Sequence, residues 1–204
     1  MTPPQQSAVR HNEPIRIDSG AAETLRYIRS TIDTAQRFTT VPGKGCIVIG
    51  AVGLAAAGLE TVAGFGAYWL HIWVVAAVLA CGIAALSVVA KARAQGLSLQ
   101  RTAARRFFMT LTPAFVAGGV LTIALVGLVP RDTIAGTWLL LYGAGLAASG
   151  VFAIQAVVTA GVAFMALGAA TLALPAGSGP TMLALGFGGV HIVLGEVVRR
   201  NHGG

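Results

Sequence analysis

The sequence predicts an all-α, polytopic membrane protein with six transmembrane helices in a compact bundle and both termini in the cytoplasm. Three observations support this. First, 55% of the 204 residues are hydrophobic and only 10% are charged, whereas soluble domains carry about 25% charged residues. Second, the apolar residues form blocks of the length that crosses a bilayer core. Third, the basic residues lie only between or beside these blocks, so a soluble globular domain is excluded.

The apolar blocks define the predicted helices. We predict spans over residues 45–63, 68–90, 108–129, 134–149, 155–174 and 180–198. No charge marks the junction between the fourth and fifth spans, but one helix over that whole stretch would be about 60 Å long, roughly twice the hydrocarbon thickness. We therefore expect the chain to reverse between Ser149 and Gln155, with Gly150 supplying the turn. A broken or re-entrant segment is the alternative.

The formal charge of +7 predicts an orientation and not a nucleic-acid partner. Cytoplasmic loops of membrane proteins are enriched in Lys and Arg. With six spans and cytoplasmic termini, every basic residue except Arg131 lies inside, whereas an odd number of spans would place Arg199 and Arg200 outside. The aromatic interleaving and fold signatures of a nucleic-acid-binding module are absent from the sequence.

The chain before the first span divides into two predicted segments, and a short tail closes the protein. Pro, Gln and charge predict a disordered tail at the start, and an apolar stripe then predicts a cytoplasmic amphipathic helix. The predicted organisation is residues 1–18 as tail, 19–41 as amphipathic helix, 42–200 as transmembrane domain and 201–204 as tail.

Basic side chains mark two candidate contacts with lipid. Arg26, Arg29 and Arg37 lie on the polar face of the predicted amphipathic helix, which suits a helix docked on an anionic leaflet, although an ordinary solvated helix explains the same pattern. A second cluster in the connection between the second and third spans is a candidate for lipid headgroups or an acidic partner. It consists of Arg101, Arg105 and Arg106. Orientation alone also accounts for it.

Ionisable residues inside spans are the default place to seek function. Glu60 and His71 lie near the outer ends of the first two spans, joined by the short turn at 64–67. They are placed to meet and to bind a cation or relay a proton, or else to be merely interfacial.

His191 falls near the midpoint of the sixth span and is expected to face protein. Its candidate hydrogen-bond partners are Tyr142, Thr122 and Thr159. A neutral histidine bonded across helices is the structural interpretation, and a ligand or proton site is the functional one. Glu196, near the cytoplasmic face, is expected to pair with Arg199 or Arg200 at helical spacing.

Small residues dominate the fourth and sixth spans and predict close helix packing or a homo-oligomer interface, because tight contact drives association in lipid. The fourth carries Gly143, Ala144, Gly145, Ala147, Ala148, Ser149 and Gly150, and the sixth carries Gly186, Gly188 and Gly189. Pro113 predicts a kink in the third span, where Thr110 and Thr112 are placed to satisfy freed backbone groups.

Weak similarities between two parts of the sequence suggest that three helices were duplicated to give six. Residues 50–58 resemble 143–150, and residues 118–120 match 188–190. Inverted repeats of this kind occur in secondary transporters. A Gly and Ala alphabet also produces such matches by chance.

No catalytic, metal or cofactor motif is present in the sequence. The His residues in the spans differ in depth, and no cluster has ligand spacing. Cys46 and Cys81 are too far apart axially for a disulfide. We therefore expect no cofactor, no metal and no enzymatic activity.

Three stretches resemble a group of uncharacterised bacterial multi-pass membrane proteins. They are Thr137–Gly143, Phe164–Gly168 and Leu185–Ile192, and the amino-terminal Leu25–Arg29 is similar to them too. The resemblance implies a prokaryotic origin, hence a bacterial inner-membrane location, and nothing catalytic.

Two functions fit these features. The first is a non-enzymatic membrane scaffold or sensor whose partners are anionic lipids and either another membrane protein or a second copy of this chain. The alternative is a small secondary transporter or channel that uses His191, Glu60 or His71.

Overall fold

The computed structural model describes residues 23–25, 27, 41–62, 64–94 and 102–202, and the chain divides into two units. The first unit spans Met1–Ala35; its described residues are helical, with Leu25 and Tyr27 exposed. Most of the predicted amphipathic helix lies outside the described residues. So do the predicted tails, apart from residues 201 and 202, and the candidate residues Arg26, Arg29, Arg37 and Arg101.

The second unit, Gln36–Gly204, is all-α in its described part, which confirms the predicted class. Its helices are α1 (Gly43–Thr61), α2 (Trp69–Ala94), α3 (Thr102–Leu125), α4 (Arg131–Gly150), α5 (Gln155–Ala173), α6 (Gly179–Leu183) and α7 (His191–His202). A 3-10 turn, Gly66–Tyr68, precedes α2. A π-helical segment, Ala184–Val190, joins α6 to α7 and is called the π segment below.

Within the residues that the structure describes, five helical stretches are long and apolar enough to cross a membrane, so the chain is a polytopic membrane protein. They are Gly43–Thr61, Gly66–Lys91, Arg105–Leu125, Gln155–Ala173 and Gly179–Asn201. Helix α4 occupies the place of the predicted fourth span but is not among them. It begins with Arg131 and Asp132 and carries Gly, Ser, Thr, Trp and Tyr along its length, which lowers its apolar character.

The chain reverses between α4 and α5 inside the interval predicted for the turn, since α4 ends at Gly150 and α5 begins at Gln155. Gly150 takes part in this turn, because its carbonyl oxygen accepts the main-chain N–H of Ala153 at 2.9 Å. It does so without a positive φ, since the described glycines with positive φ are Gly64, Gly127 and Gly177. Gly150 also permits close packing, because a Cβ atom there would lie 2.8 Å from the main-chain nitrogen of Val158.

The bundle is organised around two tightly packed contacts. One joins α1 to the π segment and α7, and the other joins α4 to α5. Helix α2 packs against α1, and α3 packs against α4. Glycines set the approach in both contacts: a Cβ atom on Gly53 of α1 would lie 2.6 Å from the Phe187 carbonyl oxygen, and one on Gly161 of α5 would lie 2.7 Å from that of Gly143. Backbone contact of this kind is the cohesion expected in lipid.

The predicted small residues divide between packing and exposure. Gly143, Gly145, Gly150, Gly186 and Gly188 are buried, whereas Ala144 and Ala148 are exposed. Helices α2 and α3 are mostly exposed, because only 11% and 0% of the residues in their most apolar stretches are buried. These two helices therefore form the periphery of the described bundle.

The glycines of the similar sequence segments do not share a packing role. Gly50 approaches the Gly188 carbonyl in the last helix, whereas its counterpart Gly143 approaches α5 at Gly161. A Cβ atom on Gly118 or on Gly119 would meet open space, whereas one on Gly188 would meet Leu54. The contacts of these glycines therefore lend no support to a duplication.

The threonines near Pro113 do not act as expected. Proline lacks the N–H that would pair with the carbonyl four residues earlier, at Met109. Thr110 and Thr112 instead donate to the carbonyls of Arg106 and Phe108, at 2.9 and 2.8 Å. The prediction that they satisfy the group freed by the proline is wrong, because each bonds one turn back along its own helix.

Candidate functional site

An aromatic cluster lies where the helices of the bundle meet. Its six rings come from six different elements: Trp73 of α2, Phe115 of α3, Tyr142 of α4, Phe164 of α5, Phe187 of the π segment and His191 of α7. Helix α1 adds a main-chain contact through Gly53, which lies against the Phe187 carbonyl. Every long helix therefore reaches the cluster.

The Phe187 ring contacts four of the other five members of this aromatic cluster, and the fifth, Phe115, is reached through Tyr142. Its centroid lies 6.0 Å from that of Trp73 and 5.3 Å from those of Tyr142 and Phe164, and it stacks on His191 at 6.2 Å. Tyr142 and Phe164 meet edge to face at 4.8 Å. Offset and edge-to-face pairs in this distance range are stabilising beyond their area burial.

Both ring nitrogens of His191 have protein partners. The residue is 5% exposed, its Nδ1 atom lies 3.1 Å from the Phe187 carbonyl oxygen, and its Nε2 atom lies 2.9 Å from the Tyr142 hydroxyl. A carbonyl oxygen only accepts, so Nδ1 carries the proton, and Nε2 of the neutral ring accepts from the hydroxyl. Of the three partners predicted for His191, the structure brings Tyr142 to it.

The other two predicted partners bond elsewhere. The Thr122 hydroxyl donates to the Gly118 carbonyl at 2.6 Å and accepts the indole N–H of Trp138 at 2.7 Å. The Thr159 hydroxyl donates within its own helix to Gln155. Thr122 and Trp138 therefore form a separate polar contact between α3 and α4.

A second polar site lies at the end of the bundle opposite the α1 start. The Glu60 side chain is 3% exposed; one carboxylate oxygen accepts the Trp73 indole N–H at 2.9 Å, and the other pairs with the Arg131 guanidinium at 3.2 Å. Arg131 is 45% exposed. Glu60 thus joins α1 to α2 and to α4, and through Trp73 it reaches the aromatic cluster.

Glu60 and His71 are not brought together. His71 is exposed, and its ring makes an edge contact with Tyr68 at 6.2 Å. Trp73 takes the place that depth alone suggested for His71, since residues two apart on a helix point about 200° apart. The Glu60 carboxylate is committed to Trp73 and Arg131 and not to a histidine.

Asp132, next to Arg131, fixes the start of the last helix. Its carboxylate accepts the main-chain N–H groups of Gly177 and Gly179, at 2.5 and 3.2 Å. Gly177 has φ +98°, and a Cβ atom on Gly179 would collide with the carboxylate. The first two residues of α4 therefore hold α1 and the α6 start at the same end of the bundle.

The opposite end of the bundle is basic. Exposed Lys44, Arg93, Arg105 and Arg106 lie there, and the Lys91 amine donates to the Val41 carbonyl at 3.0 Å. Within residues 41–202 as described, the acid at this end is Glu196, which pairs with both Arg199 and Arg200 at 2.7 and 2.5 Å, as helical spacing predicted.

The arrangement offers little free polar chemistry in the bundle interior. Among the described residues, the Ser178 hydroxyl is the buried side-chain polar atom without a hydrogen-bond partner, and no group of three His, Cys, Asp or Glu residues is placed to hold a metal ion. Ser149 and Thr171 bond to carbonyls of their own helices. Apart from Ser178, the buried polar side chains of the described interior are therefore committed to partners in the protein, either across helices or within their own helix.

The sequence pattern missed Trp73 and Phe187, the two residues that link the polar sites. Glycines on both sides of Phe187 were visible, but their π-helical backbone was not. Trp73 is one of the buried residues of α2, together with Ala76 and Val88. Because α2 is apolar on every side, the sequence does not distinguish these buried residues from the exposed ones.

Comparison with known proteins identifies no relative. No protein family, no curated protein and no solved structure matches this chain. The assignment to the multi-pass membrane class rests on the helices themselves.

Proposed function

We propose that this protein is a non-enzymatic scaffold or sensor of the bacterial inner membrane that spans six times with both termini in the cytoplasm. The observation that carries the proposal is that both nitrogens of His191 and both carboxylate oxygens of Glu60 are bonded to other protein groups. Residues that bind a transported solute face a cavity with polar groups available to it. Here those groups hold helices together.

Helix α4 is the sixth span in this proposal. It packs along both α3 and α5, and its residues Ile134, Leu139 and Leu146 are at most 5% exposed. A helix shielded by neighbouring helices tolerates Gly, Ser and Thr in a membrane, because its polar groups meet protein and not lipid. The lower apolarity of α4 is therefore compatible with a central position.

The basic end supports anionic lipid as one partner. The side chains of Lys44, Arg93, Arg105 and Arg106 form no hydrogen bond or ion pair within the described part of the chain, and all four residues are exposed. Each basic side chain near an anionic leaflet contributes about 1 kcal/mol. The same charge supports a cytoplasmic location for this end.

Lipid retention tests this contact directly. Full-length protein purified in mild detergent and mixed with phosphatidylglycerol is examined by native mass spectrometry, with phosphatidylcholine as the neutral comparison. Arg105→Gln/Arg106→Gln should lower phosphatidylglycerol retention, whereas Arg105→Lys/Arg106→Lys, which keeps the charge, should preserve it. Equal retention of the two lipids by the parent protein would reject the contact.

Solute transport is the second candidate, favoured by one observation. The π segment interrupts a membrane-length helix directly before His191, and π-helical turns are frequent at functional sites. Proteoliposome flux distinguishes the candidates: solute movement in the parent that is lost in His191→Ala, and kept in Tyr68→Phe, would establish transport and overturn the scaffold. A crosslinked membrane partner in native membranes, lost on deletion of residues 19–40, supports the scaffold.

A further inference from the structure

The helix that runs from Gly179 to His202 changes its winding at its centre. Residues Gly179–Leu183 are α-helical, Ala184–Val190 are π-helical and His191–His202 are α-helical. A π-helical turn closes five residues along the chain and not four, so it acts as one inserted residue. The rotation of α6 relative to α7 about the helix axis therefore depends on whether residues 184–190 wind as a π-helix or as an α-helix.

Joining π turns to α turns leaves a main-chain carbonyl without its usual partner. In an α-helix the N–H of His191 would bond to the Phe187 carbonyl, four residues earlier. Here that N–H bonds to the Gly188 carbonyl. The Phe187 carbonyl instead accepts from the imidazole Nδ1 atom of His191 at 3.1 Å.

The imidazole is itself held from α4. The Tyr142 hydroxyl donates to the His191 Nε2 atom at 2.9 Å, which fixes the ring with its Nδ1 proton directed at the Phe187 carbonyl. At the other end of the same helix, Asp132 accepts the N–H groups of Gly177 and Gly179. Two side chains of α4 therefore hold the last helix on either side of the π segment.

Glycine at positions 186 and 188 allows the π segment to pack tightly between α1 and α4. A Cβ atom on Gly186 would lie 2.6 Å from a Leu139 methyl carbon of α4, and one on Gly188 would collide with Leu54 of α1. The carbonyls of Phe187 and Gly188 lie against Gly53 and Gly50 of α1. The imidazole Nδ1–H therefore supplies the Phe187 carbonyl with a donor in place of the His191 main-chain N–H, which bonds to Gly188.

We propose that His191, positioned by Tyr142, is a side-chain lock that keeps residues 184–190 π-helical and thereby sets the register of the last transmembrane helix. When the lock is removed, the segment rewinds as an α-helix. Residues 179–190 then turn relative to α7 by the angle of one helical residue, about 100°. This conformational role goes beyond the scaffold proposal and does not depend on it.

Lipid-phase cysteine labelling measures this rotation. In a full-length background with Cys46→Ala and Cys81→Ala, the reporters are Leu185→Cys, at a residue 48% exposed, and Leu183→Cys, at a residue 2% exposed. Val193→Cys, at a 63% exposed residue of α7, is the reference beyond the lock. A membrane-restricted thiol reagent should label positions 185 and 193 but not 183.

In the Tyr142→Phe and His191→Leu variants, labelling at positions 185 and 183 should become more nearly equal. Labelling at 185 should fall, labelling at 183 should rise, and labelling at 193 should stay unchanged. Thr122→Val, which removes a different bond between helices, is the matched control and should leave all three positions unaltered. If His191→Leu does not fold, Tyr142→Phe decides.

Two results would overturn the lock. In the first, folded Tyr142→Phe keeps the parent ratio of labelling at 185 to labelling at 183. In the second, labelling rises at all three positions, including 193, which reports a general loss of packing and not a change of register.

Discussion

The indole N–H of Trp73 donates to the buried carboxylate of Glu60 across 2.9 Å. This bond joins the first two helices of the bundle at the level where Arg131, from α4, takes the other carboxylate oxygen. Trp73 also contacts Phe187 at 6.0 Å. A charged group at one end of the bundle is thereby connected to the aromatic cluster at its centre.

Trp73→Phe should destabilise the protein. The substitution keeps an aromatic ring but leaves one oxygen of a carboxylate that is 3% exposed without a donor. Leaving a buried polar group unpaired costs about 1–3 kcal/mol. Thermal unfolding in detergent should therefore shift to lower temperature, and Glu60→Gln/Trp73→Phe, which also removes the charge, should be less impaired than Trp73→Phe alone.

Tyr68→Phe is the control for that measurement. Tyr68 lies just before the same helix but is 60% exposed, so loss of its hydroxyl should leave the unfolding temperature unchanged. Equal stability of the parent and Trp73→Phe would show that the carboxylate does not need the indole.

Gly161→Ala should weaken the contact between α4 and α5, whereas Gly82→Ala should not. A Cβ atom on Gly161 would lie 2.8 Å from the Ala147 Cα atom, and its other close neighbours are also backbone atoms that have little freedom to move. Overpacking of this kind costs about 1–3 kcal/mol. A Cβ atom on Gly82 meets open space, and alanine favours the helix by about 1 kcal/mol.

The two glycine variants are compared by thermal unfolding and by the detergent concentration that unfolds them. A loss of stability in Gly82→Ala, with Gly161→Ala unaffected, would reverse the assignment of which helix faces are packed.

Helix positions were largely predictable from the sequence because charge or proline marks most boundaries between the apolar blocks, and length alone divides the block at residues 134–174. Arg131 and Asp132 mark the α4 start, and the block around Ser149 is too long for one span. The position of a residue along the helix axis was predictable too, since Glu60 and His71 both lie close to the connection between α1 and α2. Rotation about the helix axis was not, because α2 is apolar on every side, and so the sequence favoured His71 where Trp73 makes the bond.

The π segment lay beyond sequence reasoning for a related reason. Gly186, Gly188 and Gly189 are compatible with any helical winding. The choice of winding depends on the Tyr142 hydroxyl and the His191 ring, which meet only after the three intervening elements, α5, α6 and the π segment, have packed. Tyr142 was still among the predicted partners of His191, because depth in the membrane restricts which residues can meet.

Topology follows from the proposal that α4 is a sixth span. In a background without the native cysteines, Gln100→Cys and Gly203→Cys should react with a membrane-impermeant thiol reagent only from the cytoplasm. Leu128→Cys should react only from outside, since Leu128 is 79% exposed in the connection before Arg131. The basis is the charge difference between the two ends of the bundle.

Residue 203 is the decisive position in this experiment. If α4 did not cross the membrane, Leu128→Cys would still react from outside, but Gly203→Cys would become reachable from outside as well. That result would reduce the bundle to five spans.

The bond between Tyr142 and His191 should appear as a coupling energy in a double-mutant cycle. Tyr142→Phe removes the donor to Nε2, and His191→Leu removes the acceptor and also the donor to the Phe187 carbonyl, so His191→Leu should be the more destabilising single change. Bonds between membrane helices average about 0.6 kcal/mol, and the double variant should therefore be less destabilised than the two singles added together by about that amount. Tyr142→Phe combined with Tyr68→Phe should be additive, because distant sites without shared partners are independent. Additivity in the Tyr142 and His191 cycle as well would mean that the two side chains are neighbours without a stabilising bond, and the lock on the π segment would then lack its support from α4.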